Sequence, residues 1–160
     1  MHDVVFVVAN SDDEASQKIK AKWFGTPSSL HIDSWFVAEN IDGFSIKIVE
    51  HAPKNRNNHL YFVNLGFYKS GLFGESHFMT LVIANSKSAA IEQAKIKAPS
   101  DKEMIHSDNI YDLDDCIKVC EVDDYYVELT QSDVHCVLDP TNGYIKLRDS
   151  CNSPSSLVNC

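Results

Sequence analysis

Ala9-Asn10-Ser11 recurs as Ala84-Asn85-Ser86, and His31-x-Asp33 recurs as His106-x-Asp108. Both recurrences have the same offset along the chain, and His2 and His77 stand at that offset too. A shared offset at separate places is the mark of an internal repeat. The chain therefore reads as a tandem duplication. The first repeat covers residues 1–50 and the second 60–131, joined by a polar, Asn-rich linker at 51–59. Residues 132–148 form an extension and 149–160 a Ser/Asn/Pro-rich tail.

Within the first repeat, Val4–Val8 is an unbroken apolar run, as in a strand covered on both faces. Ser11 then offers an N-cap, and Glu14 three residues later completes a capping box. The helix runs to about Trp23, with Ala15, Ile19 and Trp23 on one face, before Gly25 and Pro27 stop it. Trp35–Val37 is expected to be extended. Phe44–Ile48 alternates strictly, as a half-buried strand does, behind an Asp42-Gly43 turn.

The second repeat opens on the strand 60–65, passes a loop holding Gly66, Gly71 and Gly74, and returns as the strand 78–84. Ser86 caps a helix carrying Ala90, Ile91, Ala94 and Ala98, which Pro99 ends. Cys116–Val122 and Tyr125–Leu129 then flank Asp123-Asp124. Here Tyr125, Val127 and Leu129 match Phe44, Ile46 and Ile48 at a second, slightly longer offset.

The order β-β-α-β-β of the second repeat has no full counterpart in the first, because Met1 stands directly before His2. The first repeat is expected to lack its opening strand and to leave a sheet edge that needs cover. Residues 132–148 are the candidate: Val134–Leu138 and Tyr144–Leu147 flank a hairpin turn at 139–143.

Charge narrows the partners. The chain carries 14 Lys+Arg against 23 Asp+Glu, a net charge of −9, with a pI near 5.1. An acidic surface repels phosphate backbones, so nucleic acid and anionic membrane surfaces are not expected partners. No run approaches the ~20 apolar residues of a membrane helix. The N-terminus lacks the basic n-region of an export signal. Five cysteines (116, 120, 136, 151 and 160), odd in number and without an export signal, read as reduced thiols in a cytoplasmic protein.

The second repeat resembles the bacterial family called domain of unknown function 1543. The resemblance is carried by Leu60–Gly66, Tyr68-Lys69, Gly71, His77, His106, Asp108, Tyr111, Asp114-Asp115-Cys116 and Val122-Asp123. The first repeat is similar through His2–Val8, Trp23-Phe24-Gly25, Leu30–Trp35 and Asp42-Gly43. Phe67 stands where the pattern expects a second glycine, and Ser70 where it expects proline. The resemblance implies one or two copies of a small domain and supplies no catalytic residues.

The two His-x-Asp pairs are the foremost chemical candidates. In extended backbone, residues i and i+2 project to one side, so each pair presents an imidazole beside a carboxylate. Facing copies would make a metal site from His31, Asp33, His106 and Asp108, or a His oriented by Asp as a general base. The competing reading is local capping, which accounts for the repetition without chemistry. His2 and His77 open matching strands, and the loop bearing Gly66 and Gly71 could admit a ligand close to its backbone. Its spacing fits neither a Walker loop nor a dinucleotide fingerprint. The acidic run from Asp108 to Asp124 lacks the glycine and terminal glutamate of an EF-hand loop. Cys116 and Cys120 share a strand face and read as core thiols.

The expected architecture is α+β: two ββαββ-like repeats, mainly antiparallel, one helix each, plus a C-terminal β-hairpin. The expected function is a non-enzymatic module that binds a small ligand or a protein. The alternative is a small metal-dependent enzyme with its His/Asp site between the repeats. A third reading is homodimerisation through the unpaired sheet edge. No cofactor is indicated.

Overall fold

The computed structural model describes residues 3–26, 30–54, 56–68, 71, 73–98, 104–105, 116–134 and 138–147. It is an α+β protein whose described strands all pair antiparallel. In chain order the elements begin α1 (Asp12–Lys22), β1 (His31–Trp35), β2 (Asn40–Ile41), β3 (Phe44–Val49), β4 (His59–Tyr68) and β5 (Ser76–Ala84). There follow α2 (Lys87–Lys97), β6 (Met104–Ile105), β7 (Cys116–Val119), β8 (Glu121–Val122), β9 (Tyr125–Gln131) and β10 (Thr141–Lys146). The backbone divides into two compact units: Ala38–Val137, here the central unit, and Met1–Val37 with Leu138–Cys160, the flanking unit.

The two helices keep the first repeat offset at both ends, Asp12 answering Lys87 and Lys22 answering Lys97. Ser11 Oγ accepts from Glu14 N–H and Ser86 Oγ from Ala89 N–H, each at 3.2 Å, which satisfies a donor the helix cannot use. At the other end Trp23 N–H and Ala98 N–H each donate to the third and fourth carbonyls back. Lys22 Nζ donates to Phe6 O at 2.6 Å and Lys97 Nζ to Leu81 O at 2.9 Å, again at matched positions. The first cap differs in one detail. The Glu14 carboxylate accepts from Asn10 N–H (2.9 Å) rather than from the N-cap's own amide.

In the central unit β4 lies between β5 on one side and β6 and β7 on the other. Its odd-numbered side chains Tyr61, Val63 and Leu65 meet Val82, Ala84 and Cys116, and α2 closes this layer through Ala90 and Ala94. Both alanines are wholly buried, which lets the helix approach the sheet closely. Leu60, Phe62, Leu81 and Ile83 on the opposite face are buried as well. Strand β4 is thus covered on both faces, the arrangement expected of Val4–Val8.

The second sheet of this unit is ordered β2-β3-β9-β8. Two-residue turns at Asp42-Gly43 and Asp123-Asp124 link its hairpins, all four residues at positive φ as a type I′ turn requires. The strands that carry Phe44, Ile46 and Ile48 and Tyr125, Val127 and Leu129 are neighbours here. Lys47 stands opposite Glu128, its own counterpart at the longer repeat offset, and the register runs symmetrically outward from that pair. Ile46 N–H donates to Glu39 O (2.7 Å) and Val127 N–H to Cys120 O (3.0 Å), donors and acceptors matching at the same offset. The Asp42 carboxylate accepts from Ile83 N–H at 2.9 Å and pairs with Lys97, tying this hairpin turn to β5 and α2.

The flanking unit holds α1 and the β1–β10 ladder. Three expectations change here. Residues 3–9 contain no strand. Val4 is exposed and 5–9 only half-buried, with the Phe6 and Val8 carbonyls accepting from Lys22 and Lys18. An apolar β-branched run suits a ladder, but tertiary context decides whether one forms. No residue of α1 is fully buried, so the Ala15/Ile19/Trp23 stripe is half-covered. The C-terminal hairpin is replaced by a long-range pairing: β10 joins β1, and Thr141, Asn142 and Gly143 lie in the strand instead of a turn. Of the described residues in 132–148, it is Thr141–Lys146 that pairs, with β1. The expected tail at 149–160 lies outside the described residues.

Candidate functional site

His31 and Asp33 lie on β1, where a bulge interrupts the register between Ile32 and Ser34. Bulges re-aim side chains and gather near functional positions. His31 Nε2 stands 3.2 Å from Asp33 Oδ1, and the imidazole stacks on Tyr144 with ring centroids 4.1 Å apart. The i, i+2 geometry expected of this pair is therefore present, on a surface where Asp33 remains half-exposed. Its proposed partners His106 and Asp108, like His2, lie outside the described residues.

In the central unit, His77 Nδ1 approaches Asn64 Oδ1 at 3.2 Å near the end of the β4–β5 ladder that the connecting loop closes. Gly66 belongs to strand β4 opposite His77 rather than to a loop, because β4 continues through Tyr68. Its missing side chain leaves room for Glu75, whose carboxylate oxygen would lie 2.3 Å from an added Cβ. Gly71 is exposed at φ +81°, with no atom near enough to suggest a ligand cradle. These groups form a polar surface, not an enclosed site.

A cleft of about 250 Å³ opens elsewhere in the central unit, where β4 and β7 end beside β9. One wall is Arg56, Asn57, Asn58 and His59, the stretch that sequence composition marks as a linker. The other is apolar, from Phe44, Pro53, Leu60, Val119, Val127 and Leu129, with Cys120 and Glu128 completing it. The chain passes from one sheet to the other at Cys120, which is why the walls come from both. Arg56 lies over the Tyr126 ring, 5.9 Å from its centroid, within cation–π range.

Electrostatics in this region run opposite to the net charge. Burial lowers the pKa of His59, and the Lys118 and Arg56 cations push it the same way, so the imidazole is neutral at pH 7. It meets Tyr61 edge-on at 6.4 Å. Burial raises the Tyr61 phenol, with the Cys116 and Cys120 thiols adding to it. Burial also raises Cys116, against a small opposing pull from Lys87. A raised thiol is a poor nucleophile. Cys116 and Cys120 are both free; Cys116 is buried as a core thiol, whereas Cys120 is half-buried and lies just past the end of β7 and not on a shared strand face.

Among the described residues no three His, Cys, Asp or Glu side chains converge to hold a metal ion. No described helix is long and apolar enough to cross a membrane. Residues 1–48 match the family model described as Domain of Unknown Function (DUF1543). Across most of its length the chain is also similar to a solved protein, Il1583 from Idiomarina loihiensis. The two are 29% identical with a TM-score of 0.69, over 93% of this chain and 87% of that one. The chain finds no match among curated proteins.

Proposed function

We propose that this protein is a non-enzymatic binding module, and that it holds a small molecule in the cleft beside His59. The observation that carries this is the pairing of a polar wall, Arg56 to His59, with an apolar wall from Phe44, Leu60, Val119, Val127 and Leu129. Ligand sites combine mostly apolar linings with a few orienting polar groups. His31, Asp33, His77, Gly66 and Gly71 are not among the residues lining this cleft. They serve as surface polar contacts in this reading. The scaffold is a tandem pair of ββαββ copies. Support comes from helices whose caps and lysine–carbonyl bonds recur at the shorter repeat offset, and from hairpins that recur at the longer one.

The test is a fragment screen on the full chain, followed by backbone amide resonances. Binding should move the signals of residues 56–60, 119–120 and 127–129 together. Hits that shift only β1 and β10, or no hits from a broad fragment set, would overturn the cleft as the site.

A further inference from the structure

We propose that the cleft takes a small monocarboxylate with an apolar body, its carboxylate against Arg56 and Asn57-Asn58 and its body on the half-buried Phe44, Pro53 and Leu129 side chains. This rests on the cleft being the binding site. Arg56 is the cation among the described lining residues, and its planar fork matches a carboxylate in two parallel hydrogen bonds. The Tyr126 ring beneath the guanidinium supports it from one side without using its in-plane donors. Asn57 and Asn58 add amide N–H donors, and neutral His59 can donate from one ring nitrogen.

The charged groups around His59 favour an anion. Lys118 and Arg56 act on it from β7 and from the loop, and Tyr61, whose phenol burial pushes up, is neutral at pH 7. Glu128 is the carboxylate on the described lining, and it stands on β9 at the register position opposite Lys47 of β3. One arginine beside an apolar wall suits a monoanion better than a phosphate dianion, which calls for several cations. The volume of about 250 Å³ lies below the roughly 300–1,000 Å³ of drug-sized sites, so the body is small, an aryl ring or a short chain.

Burial is the larger cause of the lowered His59 pKa, and an anion settling here opposes only the added push of Lys118 and Arg56. That raises the proton affinity of the imidazole, so binding of the acids should strengthen as pH falls from 7 toward 6. The experiment titrates benzoate and butyrate, with benzamide and butyramide as neutral counterparts, into the full chain at pH 7 and pH 6. Backbone amides and the His59 ring resonances are followed. The expected result is tighter binding of the acids by at least about tenfold, the worth of a charge-assisted hydrogen bond. Arg56→Gln should reduce the acids to the level of the amides. The wild-type comparison of acid with amide needs no variant, so a misfolded Arg56→Gln leaves the test intact. Equal binding of acids and amides at residues 56–60 would overturn the carboxylate assignment and keep the cleft. No shift at those residues with any of the four probes would overturn both.

Discussion

Asp42 shows how much one side chain can hold. Its carboxylate satisfies Ile83 N–H, on a residue only 5% exposed, and pairs with Lys97, while its own backbone sits at φ 51° in the turn. Asp42→Asn keeps an acceptor and tolerates that φ, so it should cost under about 1 kcal/mol, the value of a partly exposed ion pair. Asp42→Ala leaves the amide unsatisfied and should cost about 1–3 kcal/mol in urea denaturation. His59 sets a pH dependence of known sign. Its folded pKa lies below the ordinary 6.5, so between those values the unfolded chain binds more protons than the native one. This contribution to stability is complete above pH 6.5 and is lost as pH falls toward the folded value. Urea midpoints between pH 5 and 8 should show that slope in the wild type and less of it in His59→Gln. The importance of His59 was not legible from composition, because an Asn/Arg/His stretch between two apolar runs has the signature of a linker. The available signal was an arginine placed three residues before a strand that opens on histidine.

At the scale of elements, local code and long-range pairing part company. Both helices end where their serine caps and final carbonyl bonds put them, and Ser86→Ala should cost about 1 kcal/mol. The alternation of Phe44–Ile48 and the Asp42-Gly43 and Asp123-Asp124 turns likewise appear as hairpins. What alternation does not specify is the neighbour. Strand β3 takes β9, with Lys47 opposite Glu128 at the centre of the symmetric register. Two copies of β3 in the same register would set lysine against lysine, and two copies of β9 glutamate against glutamate. Like charges directly opposite disfavour pairing, so this pair selects the mixed ladder. Lys47→Glu and Glu128→Lys should each destabilise by about 0.2–1 kcal/mol, and the double exchange should recover most of the loss. Failure of the double variant to recover would mean that packing, not charge, sets the cost.

Across the whole molecule, the compact units are not contiguous in sequence. Strands β2 and β3 belong to the central unit, while β10, far along the chain, pairs with β1 in the flanking unit. The central unit holds the largest fully buried side chains, Leu65, Leu81, Val63 and Val82. Amides of β4 and β5 should therefore exchange with deuterium most slowly, and those of α1, which buries no residue, among the fastest. A thiol reagent on the native protein should modify half-buried Cys120 before Cys116, whose burial and raised pKa both protect it. Sequence alone determined the helix limits, the Asp42-Gly43 and Asp123-Asp124 turns and the α+β class. Each rests on chemistry within a few residues: a cap, a positive φ, an apolar period. Only the tertiary structure decided that 3–9 forms no ladder, that β10 answers β1, and that Arg56–His59 walls a cleft. Those outcomes depend on backbone hydrogen bonds and apolar burial between segments far apart in the chain, where a strand's own residues state that it will pair but not with which partner.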